Sequence, residues 1–406
     1  MHGHCSLLTA TELGPDDFHF SSMNATEDIT RYVLGGYHPV IIGDILRSPA
    51  SSSSYRVMHK LGFGSYATVW LAQKTDASRA FFAIKITIAD GLSNRETECL
   101  RAVLRECSSN IVTLADAFEL HGPNGVHSVL VTDIVAPILS LLSSERSPHW
   151  RKKVAYDLTN AIAQLHASGV VHGDLHLGNV GISMPQLSTQ DPEDVMQDLD
   201  WPELTLVLPT DHRSASPSLP AYVVAPCNMA AYYNKIIAGQ GKHEPHAKIF
   251  DFGNAHRAGT QPTSFQCAIE ACAPESVFAR VVEQNENPPI EVPADVWALG
   301  AMIYEIFYGS SLFRGVGIRG VMSHMVSLAG AVPSQWEAHL LSAPPPDADA
   351  WWGSRRDRLR KACIDDQDTE ALIGLLRKVL VLDPSFRPSA KVICRDIWFQ
   401  KYRKIT

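Results

Sequence analysis

The sequence predicts an α+β chain in two unequal parts, a small β-rich N-terminal part and a larger helical C-terminal part. Three observations predict it. Short apolar runs separated by Gly- and Pro-containing turns fill the region from 55 to 135 and read as strands. Apolar residues at helical spacing dominate 149–168 and return from Ala294 to Glu305. Between them, Val170-Val-His-Gly-Asp-Leu-His-Leu-Gly-Asn179 places an acid and a carboxamide in one loop, five residues apart.

A chain of 406 residues is long enough for two lobes with a sizeable core. The net charge of -8 argues against a direct nucleic-acid binder built on a broad basic face, and permits attraction of a basic substrate. Eight Cys without a CxxC pair read as reduced thiols, which places the chain in the cytoplasm and/or nucleus. No secretory leader pattern occupies residues 1–20, and no run approaches 18 uninterrupted apolar residues, so a membrane span is not expected. A monomer is expected.

Residues 1–30 mix Ser, Thr, Asp and His without periodicity and read as a weakly ordered tail. The N-terminal part is expected over 31–133. Gly35-Gly-Tyr-His-Pro-Val-Ile-Ile-Gly-Asp44 is a turn followed by a short apolar run. Tyr55–Ala72 reads as two strands around the glycine turn Gly62-Phe63-Gly64. Leu61 and Val69 flank it, and Ala67 stands where a third glycine would complete GxGxxG. Gly62 and Gly64 would let backbone N–H groups approach phosphates; alone they fit a plain hairpin equally well. The next strand, Phe81-Phe-Ala83-Ile-Lys85-Ile86, puts one Lys in an apolar run, and a buried ammonium needs an anion. A helix over 94–105 offers Glu96 and Glu98, of which Glu98 is the expected partner of Lys85. The strand over 126–135 ends in Thr132-Asp133-Ile-Val135. Thr132 is expected to line an adenine pocket, and backbone groups of Asp133 and Val135 to hydrogen-bond the base.

The C-terminal part is expected over 134–406. A helix over 149–168, stopped by Gly169, leads into the central loop. There Asp174 can orient or accept the proton of an attacking hydroxyl, and Asn179 can hold a magnesium ion, which suits phosphoryl transfer. Residues 183–246 carry eight Pro and an acidic cluster from Asp191 to Glu203, and read as an insert between two halves of one site. The cluster reads as a solvated helix. Ala247-Lys-Ile-Phe-Asp251-Phe-Gly253 then delivers a second acid, Asp251, at a tight turn, fitting another magnesium ligand. Farther on, Asp295 at the start of an apolar helix needs buried donors, which the central loop's backbone can supply. Arg387 can brace Glu275 of Ala273-Pro-Glu275 as an ion pair.

Together these motifs resemble the eukaryotic protein kinases over about 55–400, and within them the serine/arginine-rich (SR) protein kinases, especially divergent fungal relatives. The Gly35–Asp44 segment, the Gly122-Pro-Asn-Gly-Val-His127 turn, Asp251-Phe-Gly-Asn-Ala255 and the insert carry the likeness. The resemblance implies a bilobal protein kinase fold, ATP and Mg2+ as cofactors, and phosphorylation of serine in a protein substrate, typically Arg/Ser-rich. Leu61, Gly62, Gly64, Val69, Ala83, Lys85, Thr132, Asp133 and Val135 would bind ATP. Asn179 and Asp251 would hold the metal, and Asp174, Lys85 and His176 would act in catalysis. The chain departs from the kinase pattern at Gly173, at His176 where a Lys is usual, and at Cys272, where related kinases often carry Arg. A nucleotide-binding scaffold with little turnover and a small-molecule phosphotransferase are the competing readings.

Overall fold

The computed structural model describes residues 26–89, 95–104, 109–188, 190–208, 216–238, 244–260, 267, 271–313, 318–339 and 347–402. Residues 1–25 of the expected tail lie outside the described residues. The chain folds as an α+β protein in two compact units. One comprises the chain up to Thr97 with Thr113–Ile134 and Met184–Gly239; the other holds Glu98–Val112, Val135–Ser183 and the chain from Gln240. The division is therefore not the single cut at 133/134 that the sequence suggested, because the first unit includes most of the insert.

The first unit is built on six antiparallel strands: β1 (Ile45–Arg47), β2 (Ser54–Gly64), β3 (Ala67–Lys74), β4 (Phe81–Thr87), β5 (Leu114–Gly122) and β6 (Gly125–Thr132), in the order β1-β2-β3-β4-β6-β5. Alternation sorts the residues of this sheet. Trp70, Ile84, Ile86, Val129 and Val131 face a buried core with Val40, Tyr55, Val57 and Phe118. The register pairs Val69 with Lys85, Ala83 with Thr132, and Lys85 with Leu130. Val69, Ala83, Lys85 and Thr132 therefore share the opposite face. Helix α1 (Arg95–Leu104) follows β4.

Beyond the sheet come β7 (Val135–Pro137), α2 (Ile138–Leu142), α3 (Pro148–Ala167), β8 (Val170–Val171) and β9 (Val180–Ser183). Ser147 caps α3 by accepting the Trp150 N–H, and Pro148 occupies the first turn, where its missing N–H costs nothing. The insert then supplies α4 (Pro192–Asp198), β10 (Leu204–Leu206), β11 (Tyr222–Val224) and α5 (Met229–Ala238). The chain continues with β12 (Ala247–Ile249), β13 (His256–Arg257), α6 (Pro274–Val281), α7 (Val292–Tyr308), α8 (Ile318–Ala329), α9 (Ala348–Arg360), α10 (Asp366–Val379) and α11 (Ala390–Ile393). Helix α7 is buried along nearly its whole length and is stopped by Gly309 in the left-handed region. Strand β9 pairs with both β7 and β12, and β8 pairs with β13, so residues separated in sequence by the insert become neighbours. No described helix is long and apolar enough to cross a membrane.

The insert mixes solvated charges with packed apolar residues, and Val195 and Leu199 of its first half are buried. Asp191, Glu193 and Asp194 are exposed at the start of α4, and Trp201, Leu204, Leu206 and Leu208 are also exposed. From Ser216 onward the insert packs on the first unit. Val224 joins the sheet core, Val223 packs with Ile29, Tyr32 and Tyr37, and the Tyr222 hydroxyl accepts the Ile42 N–H.

The stretch just before Arg31, assigned to the tail, packs into the first unit from Glu27. Glu27 and Lys60 are both almost fully buried and form an ion pair, and the Tyr32 hydroxyl donates to the same carboxylate at 2.5 Å. Burial pulls the Lys60 ammonium below its ordinary value, and Glu27 opposes that pull. Removing one partner of a buried pair strands the other charge in the interior. Glu27→Ala is therefore expected to destabilise the first unit by about 3–5 kcal/mol, read by chemical denaturation. Surface Glu119→Ala should change it by less than about 0.5 kcal/mol.

Candidate active site

The central loop is organised from below by one carboxylate. Asp295, in the first turn of α7, is 2% exposed and accepts the His172 N–H at 2.8 Å and the Gly173 N–H at 3.0 Å. His166, near the end of α3, approaches the same carboxylate through Nε2 at 3.0 Å. Burial pushes this carboxyl up, but the hydrogen bond and charge of His166, with His172, outweigh it and hold it below its ordinary value. Gly173 adopts φ +78°, a conformation that strains a side-chain-bearing residue, which accounts for a glycine where a kinase loop usually has Arg.

The loop then sets its functional groups. His172 is buried; its Nδ1 accepts the Asp174 N–H at 3.3 Å, and Nε2 donates to the Phe250 carbonyl at 3.3 Å. The Asn179 amide nitrogen donates to the Asp174 carbonyl at 2.9 Å, which presents the Asn179 side-chain oxygen as the end able to meet a hard cation. The Asp174 carboxylate is bracketed. Asn254 donates to Oδ2 at 3.2 Å, and His176 Nε2 lies 3.8 Å from Oδ1. His176 Nδ1 accepts the Gly178 N–H at 3.0 Å, so the neutral ring carries its proton on Nε2, the edge facing Asp174. Burial raises the Asp174 carboxyl, with Asp251 adding to the rise, while His176, His172 and Asn254 oppose it.

Pairing of β12 with β9 carries Asp251 to this loop, and the Phe250 N–H donates to the Asn179 carbonyl at 3.0 Å. Asp251 adopts φ +63°, an uncommon conformation for a non-glycine residue, at the turn completed by Gly253. A carboxylate and a carboxamide oxygen are the hard donors that magnesium takes. Among the described residues no three His, Cys, Asp or Glu side chains gather as a metal cage.

In the first unit, Lys85 Nζ meets Glu96 at 3.0 and 2.8 Å. The expected partner, Glu98, is exposed instead. Periodicity within α1 explains the correction. Cys99, Leu100 and Val103 are buried, and Glu96 stands three, four and seven residues before them, on their face. Glu98 lies about 200° around the helix from Glu96. This signal lies in the apolar period of α1 itself. At the glycine turn, a Cβ added to Gly62 or Gly64 would meet nothing within 4 Å, so packing within the protein does not require glycine there. Leu61 is half-buried beside them in β2. At the end of β6, where backbone groups of Asp133 are expected to meet an adenine, the Asp133 N–H donates to the Thr113 carbonyl at 3.3 Å, and the Asp133 carboxylate accepts the Thr113 N–H at 2.6 Å. Val135 begins β7, opposite Ser183.

Two supports complete the second unit. Arg387 grips Glu275 through two parallel bonds at 2.8 and 2.6 Å and also donates to the carbonyls of Val381, Leu382 and Pro293. Cys272, just before Ala273-Pro-Glu275, is buried, with its thiol 3.7 Å from the Cys267 carbonyl.

Comparison with known proteins accords with this arrangement. The family model described as the protein kinase domain matches residues 55–189 and 234–399, and the chain belongs to that family. The match lapses across the insert. The chain is 24% identical to a serine/threonine protein kinase of Aspergillus fumigatus over 396 residues, 92% of this chain and 90% of that protein. It is 26% identical to the serine/threonine-protein kinase SRPK of Physarum polycephalum over 322 residues, 73% of this chain and 68% of the relative. It is 35% identical to human SRSF protein kinase 3 over 132 residues, 30% of this chain and 21% of that protein. The chain is thus a protein kinase, similar over most of its length to a serine/threonine kinase and over shorter stretches to kinases of the SR-protein kind.

Two outcomes follow from this geometry. Glu96→Gln should lower kcat/KM by about 10- to 100-fold, the worth of a charged hydrogen bond, and Glu98→Gln should leave it unchanged in a steady-state assay. Asp295 has a depressed folded-state pKa, so its stabilisation is present above about pH 4 and is lost as pH falls through the folded value. Asp295→Asn should lower Tm at neutral pH and flatten the acid limb of the stability profile, read by calorimetry from pH 7 downward.

Proposed function

We propose that the chain transfers the terminal phosphoryl group of magnesium-bound ATP to serine hydroxyls in Arg/Ser-rich protein segments. The observation that carries the reading is the bracketed Asp174 carboxylate, fixed by Asn254 on one oxygen and faced by His176 on the other. A serine hydroxyl placed at Asp174 is oriented, and its proton has an acceptor whose raised pKa makes it a better base than an exposed aspartate. Lys85, held by Glu96, supplies a fixed cation for the α- and β-phosphates, and the face shared by Val69, Ala83 and Thr132 offers an apolar wall for the adenine. Magnesium, taken by Asn179 and Asp251, would neutralise charge building on the phosphates. His176 offers one neutral donor where a lysine would place a full charge, so transition-state stabilisation there is weaker.

A cavity of about 410 Å³ beside the loop supports a basic substrate. Glu305, His176 and Ser310 line it beside apolar Leu139, Leu177, Met302 and Leu312. One acid in a pocket next to the acceptor site favours arginine near the phosphorylated serine, and the net charge of -8 draws basic chains toward the protein.

The test is phosphate incorporation into an Arg-Ser repeat peptide and into the same peptide with Ala for Arg. Only the first should be a good substrate, and Asp174→Asn should cut kcat by about 10²–10⁴-fold. Glu305→Gln should raise KM for the Arg-Ser peptide about tenfold and leave KM for ATP unchanged. Equal rates on both peptides would remove the Arg/Ser assignment, and undiminished incorporation by Asp174→Asn would remove the site itself. Because Asp174 must be ionised, kcat should fall as pH drops toward its raised pKa, an acid limb lying above the ordinary aspartate range.

A further inference from the structure

We infer that Tyr37 is a positioning residue for the glycine turn, acting through its hydroxyl on the Gly64 carbonyl; the inference rests on the reading of that turn as the phosphate cover. The Tyr37 hydroxyl donates to the Gly64 carbonyl at 2.7 Å and accepts from Arg31 Nη1 at 2.9 Å. A guanidinium can only donate, so the hydroxyl's own proton is directed to Gly64. Gly64 pairs with Ala67 across the two-residue turn Ser65-Tyr66. A bond to its carbonyl therefore fixes the hinge of that hairpin from outside the sheet. Tyr37 is 3% exposed while Tyr66 and Phe63 are exposed, so a buried anchor holds an exposed tip.

The anchor is itself built in. The Tyr37 N–H donates to the Arg31 carbonyl at 2.9 Å, closing a loop in which a Cβ at Gly36 would stand 1.9 Å from that same oxygen. Only glycine fits there, which gives Gly35-Gly-Tyr37 a physical reason. The guanidinium carbon of Arg31 lies 4.7 Å from the Tyr37 ring centre. Asn124, buried in the turn between β5 and β6, donates to the Tyr37 carbonyl at 2.6 Å and to the Ser218 carbonyl of the insert at 3.0 Å. Val223 packs with the Tyr37 ring cluster, and the Cys227 N–H holds the Lys60 carbonyl at 2.8 Å, in the strand that leads to the glycines. The buried Glu27–Lys60 pair fastens the other end of the segment to that strand. The segment before β1 and the packed half of the insert thus clamp one object, the β2 strand and its turn.

The clamp limits the turn's conformations before nucleotide arrives, so less ordering remains to be done on binding. A single neutral hydrogen bond corresponds to about a 3- to 10-fold change in affinity. Tyr37→Phe removes the hydroxyl and keeps the ring, and it should weaken magnesium-ATP binding by that factor in calorimetric titration. KM for ATP should rise to match, and KM for peptide should not move. Amide hydrogen exchange over Phe63–Tyr66 should quicken in the nucleotide-free protein, while the β4 and β6 amides keep their protection. Arg31→Gln should give a smaller effect in the same direction, and no further effect when added to Tyr37→Phe. If Tyr37→Phe binds ATP like the unaltered protein, or loses only Tm, the positioning role is wrong. If the unaltered protein binds no magnesium-ATP, the reading of the turn has failed instead, and the exchange data then report on the clamp alone.

Discussion

The catalytic loop depends on a buried negative charge. Asp295 is removed from water and kept ionised because three donors, two backbone N–H groups and an imidazole, converge on it. The desolvation is substantial, and the donors offset it only if the loop holds one geometry. That geometry is passed on. The residue whose N–H is fixed, His172, uses its ring to tie Asp174 to Phe250, and Phe250 precedes Asp251. The two acids assigned to proton handling and metal binding are therefore spaced by one rigid imidazole, not by two independent loops.

Gly173 shows the consequence for regulation. Its N–H must reach Asp295 while its backbone turns through the left-handed region, and its Cβ position lies 3.1 Å from the Asn254 carbonyl. A side chain there would press on the residue that steadies Asp174. The position is thus committed to holding the loop and has no cation to offer a phosphorylated activation segment. Below the segment, Glu275 is held by Arg387 through a bidentate pair whose guanidinium is fully enclosed. An always-charged, planar partner with every donor used gives a fixed brace that needs no modification to form.

Legibility in the sequence followed range. The gathering of Asp174, Asn179 and Asp251 could be read because each sits in a short motif, and α3 and α7 could be read because their apolar periods run for several turns. Glu96 was readable in principle, through the buried face it shares with Cys99, Leu100 and Val103. The Asp133–Thr113 pair was not, since Thr113 comes beside Asp133 only when β5 pairs with β6. The same holds for Lys60, which looks like an ordinary strand lysine until Glu27 is folded over it. Pairs made by tertiary structure between residues of unremarkable type leave no period and no spacing to find.

The insert is best understood by which of its atoms are dry. Its acidic first half is solvated, with Asp191 capping α4 and Lys235 pairing with Asp198 at the surface. Its second half supplies Val223 and Val224, both essentially unexposed, to two apolar clusters that contain Tyr37 and the sheet core. Excising that half would uncover Val40, Tyr55 and Ile29 and would free the Lys60 carbonyl. The first half contributes too, through buried Val195 and Leu199 and through β10, which pairs with β11. A segment that falls outside the family match is therefore two things joined end to end. One is a strut without which the small unit is incomplete, and the other is an acid-rich length whose charged residues face water while Val195, Leu199 and Val207 pack inward.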